Sequence, residues 1–246
     1  MIVNDRSVGP PLSDAALRRL RMISEVPDLS HTKYDLVEPL GHGGMGSVYL
    51  ARDRVLDRLV ALKVVGTFAL SPDATDRLLR EAKVLARLEH PGIVPVHDVG
   101  ALPDGRAFYT MKFVRGQRLD TYLSDATNAA ERLRILERLC DAVSFAHANG
   151  VISSDLKPQN VMVGPFGEVL VMDWGVATRA AAEAGTVAGT PGYMAPEQAR
   201  GDRADERSDV YALGAIMRLL IGPEIPKPLG AIADRATATD PAARYA

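Results

Sequence analysis

From Val151 to Gly175 the chain reads V-I-S-S-D-L-K-P-Q-N-V-M-V, then G-P-F-G, then E-V-L-V-M-D-W-G, and no other stretch restricts the fold so tightly. Two runs rich in valine, Val161 to Val163 and Val169 to Met172, flank Gly164-Pro165-Phe166-Gly167. Apolar runs around a Gly/Pro turn predict a β-hairpin. Such a hairpin returns Asn160 and Asp173 to the same end, with Asp155 and Lys157 just upstream. Two oxygen-bearing side chains at adjacent strand ends suit a hard cation such as Mg2+, which takes one or two carboxylates and completes its shell with phosphate and water.

The string D-L-K-P-x-N followed by D-x-G resembles the catalytic and metal-binding segments of the eukaryotic-type (Hanks-type) Ser/Thr protein kinases. The resemblance implies ATP- and Mg2+-dependent phosphoryl transfer to protein Ser/Thr hydroxyls. It makes Asp155 the acceptor of the hydroxyl proton, places Lys157 on the transferring phosphoryl group, and assigns Asn160 and Asp173 to the metal. One departure is plain: Ser153-Ser154 stands where the family usually has His-Arg.

Upstream, Gly41, Gly43 and Gly46 form G-x-G-x-x-G, a weak motif by itself because dinucleotide-binding folds share it. Those folds follow the glycines with a helix, whereas here Val48-Tyr49-Leu50 continues as a strand. A glycine flap between two strands is similar to the kinase version, and the form G-G-M-G is especially like bacterial members. His42 reads as an exposed turn residue.

Val60 to Val65 predicts a strand on which Lys63 shares a face with Ala61 and Val65. A helix is then expected from Ser71-Pro72-Asp73 to Glu89, with Leu78, Glu81, Leu85 and Leu88 on one stripe. Glu81 therefore points inward and requires a cation; the resemblance nominates Lys63. At about 4 Å and an effective dielectric near 20, such a pair attracts by roughly 4 kcal/mol before desolvation. Ile93 to Val99 and Ala107 to Thr110 read as strands. Met111-Lys112-Phe113-Val114 resembles the hinge between the kinase lobes, so Lys112 and Val114 are expected to meet adenine through backbone, with Val48, Ala61 and Met162 sandwiching it.

A helix from Ala129 to Ala148 is predicted, with Leu133, Leu136, Cys140, Val143 and His147 on its apolar stripe, which makes Cys140 a buried thiol and His147 a packed histidine. Gly189 to Glu197 resembles the substrate-binding loop ending in A-P-E; together with Lys157 it is of the Ser/Thr type, in which Thr190 bonds toward Asp155 and Lys157. Ser208 to Gly214 matches the central helix of the large lobe, and Arg244 is expected to pair with Glu197. Two features shorten that lobe: a Pro-rich link between Gly222 and Leu229 replaces the usual docking helix, and the family's closing helices have no counterpart before Ala246.

The fold expected is α+β and bilobal, a small antiparallel sheet lobe with one key helix at 34–114 and a mainly helical large lobe at 115–246. Residues 1–33 form an extension in which Leu17, Leu20 and Ile23 suggest a short docked helix. With 246 residues and 47% hydrophobic content the chain can bury cores of this size without disulfides, and its lone cysteine fits a reducing cytoplasm. Lys+Arg at 29 against Asp+Glu at 31 gives no pull toward nucleic acid, and no run is long enough to span a membrane. The expected partners are protein substrates and a second copy of the chain for autophosphorylation. A pseudokinase, binding nucleotide as a signalling scaffold, is the alternative raised by Ser153-Ser154 and the shortened lobe.

Overall fold

The computed structural model describes residues 26–43, 46–66, 72–123, 128–174, 177–178, 189–222 and 226–246. Strands β1 (Tyr34–Gly43), β2 (Gly46–Asp53), β3 (Arg58–Val64), β4 (Val96–Ala101) and β5 (Ala107–Lys112) form one antiparallel sheet in the order β1-β2-β3-β5-β4. The two-residue period of β3 divides its side chains between two cores. Val60, Leu62 and Val64 join Tyr49, Ala51 and Phe108 on one face, while Ala61 and Val65 face helix α1 (Pro72–Leu85) together with Lys63.

The large lobe follows with β6 (Gln117–Arg118), α2 (Leu119–Tyr122), α3 (Ala129–Ala148), β7 (Val151–Ile152), β8 (Val161–Val163), β9 (Val169–Val171), β10 (Ala177–Thr178), α4 (Pro196–Ala199), α5 (Glu206–Ile221) and α6 (Lys227–Ala236). The predicted hairpin is present: Val161 pairs with Val171, and the Met172 amide donates to the Asn160 carbonyl at 2.7 Å. Helices α3 and α5 pack together, with Ile135, Leu139, Ile216 and Leu220 in a core that extends up to α1 of the small lobe.

Several boundaries differ from expectation. Helix α1 ends at Leu85, because the Arg87 and Leu88 amides turn to the carbonyls three residues back, a tightening that closes the last turn. Ile93 is not in β4; it forms a parallel bridge with Val171, and Pro95, which has no N–H, delays the strand to Val96. Helix α3 is rotated by about one residue: it buries Ile135, Leu139, Ala142, Val143 and Ala146, leaving Leu133 and Cys140 exposed. The alanine-bearing row allows closer helix packing than the leucine row, so Cys140 is not a buried thiol. Residues 26–33 pack on the small lobe, with Leu29 in its core and Arg106 Nη2 donating to the Val26 carbonyl at 3.2 Å. The expected helix carrying Leu17, Leu20 and Ile23 lies outside the described residues.

Glu197 and Arg244 meet as predicted, in a two-pronged pair at 2.7 and 2.8 Å. Burial would raise the Glu197 pKa, but hydrogen bonds from Arg244 and Ser208 outweigh it and hold the carboxyl below the ordinary range. Arg244 also donates to the carbonyls of Arg207 and Ala238, so one guanidinium ties the chain's last segment to α4 and the start of α5. Removing one partner of a buried pair leaves an uncompensated charge. Arg244→Ala is therefore expected to lose about 3–5 kcal/mol of stability by urea denaturation; a loss under about 1 kcal/mol would show that the pair does not hold the lobe.

Candidate active site

Gly46 closes the glycine flap under tight constraint. Its φ is +139°, and a Cβ there would lie 2.0 Å from the Val64 carbonyl oxygen of β3. At Gly41 a Cβ would meet no atom of the described residues within 4 Å. His42 is in β1 rather than in a turn, exposed, with Nδ1 2.8 Å from Ser47 Oγ.

Beneath the flap, Lys63 Nζ donates to Glu81 Oε1 at 2.8 Å and to Asp173 Oδ1 at 2.6 Å. Burial pulls the lysine pKa down, yet the two carboxylates outweigh it and the net shift is upward, so Lys63 is a fixed cation. Tyr109, fully buried on β5, donates its hydroxyl to the same Glu81 oxygen at 2.9 Å. Its own pKa is raised well above the usual value, first by burial and then by the Glu81 charge, so it remains a neutral donor.

The polar residues of the 155–173 stretch converge. Lys157 Nζ donates to Asp155 Oδ2 at 2.6 Å and to Thr190 Oγ1 at 2.8 Å, and Thr190 Oγ1 donates to Asp155 Oδ1 at 3.0 Å. Asn160 Nδ2 donates to the Asp155 carbonyl at 3.0 Å. Upstream, the buried Asp209 carboxylate accepts the amides of Ser153 and Ser154 at 2.8 and 2.9 Å and lies 2.8 Å from His147 Nε2. His147 is thus packed, as expected. Ser154 (φ 56°) and Asp173 (φ 47°) occupy the left-handed region, which costs an L-residue roughly 1–2 kcal/mol and persists only where surrounding bonds enforce it. Trp174 is buried with Nε1 bonded to the Val171 carbonyl, while the buried Ser153 hydroxyl has no hydrogen-bond partner among the described residues. At the hinge, Lys112 donates its amide to the Pro95 carbonyl at 3.1 Å, Val114 and Ala61 are buried, and Val48 and Met162 are half-buried.

Compared with known proteins, the sequence matches the protein kinase domain over residues 34–234. The chain belongs to the protein kinase family. It is 43% identical over 209 residues to the serine/threonine-protein kinase pkn3 of Myxococcus xanthus, an alignment covering 79% of this chain and 38% of that protein. It is 36% identical over 234 residues to the serine/threonine-protein kinase PknD of Chlamydia caviae, covering 79% of this chain and 24% of that protein. The kinase domain thus spans well under half the length of these relatives. Its fold superposes on the crystal structure of the Mycobacterium tuberculosis PknI kinase domain with a TM-score of 0.66 and 31% identity, covering 87% of this chain and 91% of that one. The kinase fold, an antiparallel sheet lobe over a helical lobe, is the one the sequence implied.

Three residues of the kinase site escape sequence reading: Tyr109, Asp209 and Gln198. Tyr109 lies in an apolar strand run, and only the pairing of β3 with β5, Lys63 opposite Tyr109, sets it beside the Lys63 and Glu81 pair. Asp209 and Gln198 act at sequence separations of 55 and 44 from Ser154, and no local pattern signals such contacts.

The flap glycines separate two effects. Gly46→Ala should destabilise the kinase domain by about 2 kcal/mol or more through clash and backbone strain. Gly41→Ala should stay within about 0.5 kcal/mol of wild type in the same thermal melts. Equal stability losses for the two variants would contradict this assignment.

Proposed function

We propose that this kinase domain transfers the γ-phosphoryl group of ATP to Ser/Thr hydroxyls of protein substrates. The observation that carries the reading is the mutually bonded set Asp155, Lys157 and Thr190 ahead of β8, with Asp173 just past β9 bonded to Lys63 and Lys63 to Glu81. The two serine/threonine-protein kinases to which it is 36–43% identical support the same reading.

The residues take these roles in the proposal. Asp155 orients the acceptor hydroxyl and receives its proton, Lys157 neutralises charge on the transferring group, and Thr190 fixes both. Lys63, held by Glu81, engages the α/β-phosphates under a cover formed by Gly41, Gly43 and Gly46. Adenine lies between Val48, Ala61 and Met162 and bonds the backbone of Lys112 and Val114. The donor set fits Mg2+: Asp173 supplies a half-exposed carboxylate, and the Asn160 amide, with Nδ2 committed to the Asp155 carbonyl, offers Oδ1. Among the described residues no group of three or more His, Cys, Asp or Glu forms a self-contained metal site, which suits an ion completed by phosphate. When bound, Mg2+ would neutralise the phosphate oxygens during transfer.

We place the lobes at 34–114 and 115–246, with 1–33 as an extension. No helix among the described residues is long and apolar enough to cross a membrane. Use of ATP favours a cytoplasmic site of action, and self-association for autophosphorylation remains part of the proposal. The pseudokinase alternative gains no observation in its favour, and Lys63, Asp155, Asn160 and Asp173, which the transfer reading needs, are all present in the sequence.

Asp155→Asn is expected to lower turnover about 10²- to 10⁴-fold with nucleotide binding preserved, while Asp173→Asn weakens Mg2+-dependent nucleotide binding. Stopped-time assays and fluorescent-nucleotide titration separate the two; wild-type turnover in both variants would end the assignment.

Ser154 supplies no guanidinium for a phosphate on the 176–187 segment, whose hydroxyls are Thr178 and Thr186. Thr186 lies outside the described residues. Dephosphorylated enzyme and the Thr178→Ala/Thr186→Ala variant should therefore retain activity within a few-fold of untreated enzyme. A 100-fold loss, about 2.7 kcal/mol, would require another basic residue to read the phosphate.

A further inference from the structure

We propose that Gln198 is a positioning residue that couples the substrate loop to the catalytic carboxylate by holding Ser154 in its left-handed conformation. The inference rests on the reading of Asp155 as proton acceptor and adds a residue that reading does not require. Ser154 sits at φ 56° immediately before Asp155, a conformation that is costly for a serine and is held by its surroundings. One end is restrained by Asp209, which accepts the Ser154 amide at 2.9 Å. At the other end, Gln198 Nε2 donates to the Ser154 carbonyl at 2.8 Å.

That carbonyl and the Asp155 amide share one rigid peptide plane, so fixing the carbonyl fixes the base from which the Asp155 side chain departs. Gln198 is itself buried, and its Oε1 accepts the Ala195 amide at 3.0 Å, so the amide group bridges two segments with both of its ends occupied. The segment from Thr190 to Gln198 then grips Asp155 twice, through Thr190 on the carboxylate and through Gln198 on its peptide. Between the two contacts the chain is compact, with the Tyr193 and Met194 amides both donating to the Thr190 carbonyl. Neutral hydrogen bonds thereby make a connection between the substrate loop and the residue before Asp155 that contains no charged reader of phosphate.

A double-mutant cycle with Gln198→Leu and Ser154→Gly tests the proposal, because glycine occupies the left-handed region without steric cost. Gln198→Leu should lower kcat for peptide phosphorylation at least tenfold in the wild-type background, about 1.4 kcal/mol, with KM for ATP unchanged within twofold. In the Ser154→Gly background the same substitution should cost less than threefold. Gln198→Glu keeps the acceptor for the Ala195 amide but loses the donor to Ser154, so it should behave like Gln198→Leu while separating this bond from helix capping. Independently of activity, hydrogen exchange at the 153–156 amides should rise at least tenfold in Gln198→Glu and fall back in the double variant with Ser154→Gly. Equal costs in both backgrounds, or unchanged exchange in Gln198→Glu, would overturn the proposal. Absence of phosphoryl transfer in the wild type would instead overturn the functional reading and leave the exchange result to decide this one.

Discussion

A single buried carboxylate, Asp209, holds the large-lobe half of the site together. It lies in the first turn of α5, where the helix amides favour negative charge, and it accepts two consecutive amides from the strained turn before Asp155. His147 at the end of α3 supplies the third contact, so α3, α5 and the turn before Asp155 share one acceptor. An unpaired carboxylate at this depth would be costly. With three partners it becomes the anchor that a left-handed serine needs, and Asp155 inherits its position from that anchor.

The small lobe delivers its charge by a different device. Alternation along β3 sends Val60, Leu62 and Val64 to one core and turns Lys63 toward α1 and Glu81. Besides the shared apolar core, the lobes are joined by the Ile93 bridge to Val171 in β9 and by the Lys63 bond to Asp173 two residues further on. A shift of α1 that withdrew Glu81 would therefore be felt at Asp173 through one ammonium. Tyr109 opposes such a shift, because its hydroxyl shares the Glu81 oxygen from the strand that leads into the hinge.

Much of this was legible in the sequence because it rests on local periods and short spacings. The Gly-Pro-Phe-Gly turn between valine runs gave the hairpin, and the glutamate in the middle of a leucine stripe gave an inward carboxylate in need of a cation. The Glu197 to Arg244 pair and the Thr190 contacts came instead from family resemblance. What failed did so where two local patterns compete or where the answer is tertiary. Helix α3 has two apolar rows offset by one residue, and tertiary packing against α5, β7 and β9 selects the row with Ala142 and Ala146 over the one with Cys140. Strand β4 starts only at Val96 because Pro95 lacks an N–H, while Ile93 bridges to Val171 in β9. Gln198 meets Ser154 across 44 residues of sequence, a contact that no local pattern announces.

The central claim is that these two held networks serve transfer of a phosphoryl group to a protein hydroxyl. Its most direct measurement is incubation of the purified chain with Mg2+, γ-labelled ATP and a basic protein acceptor, followed by phosphoamino-acid analysis. Label is expected on serine or threonine, in the acceptor or in the chain itself, and none without Mg2+. Saturable binding of Mg2+ and ATP with no label on any protein hydroxyl would contradict it.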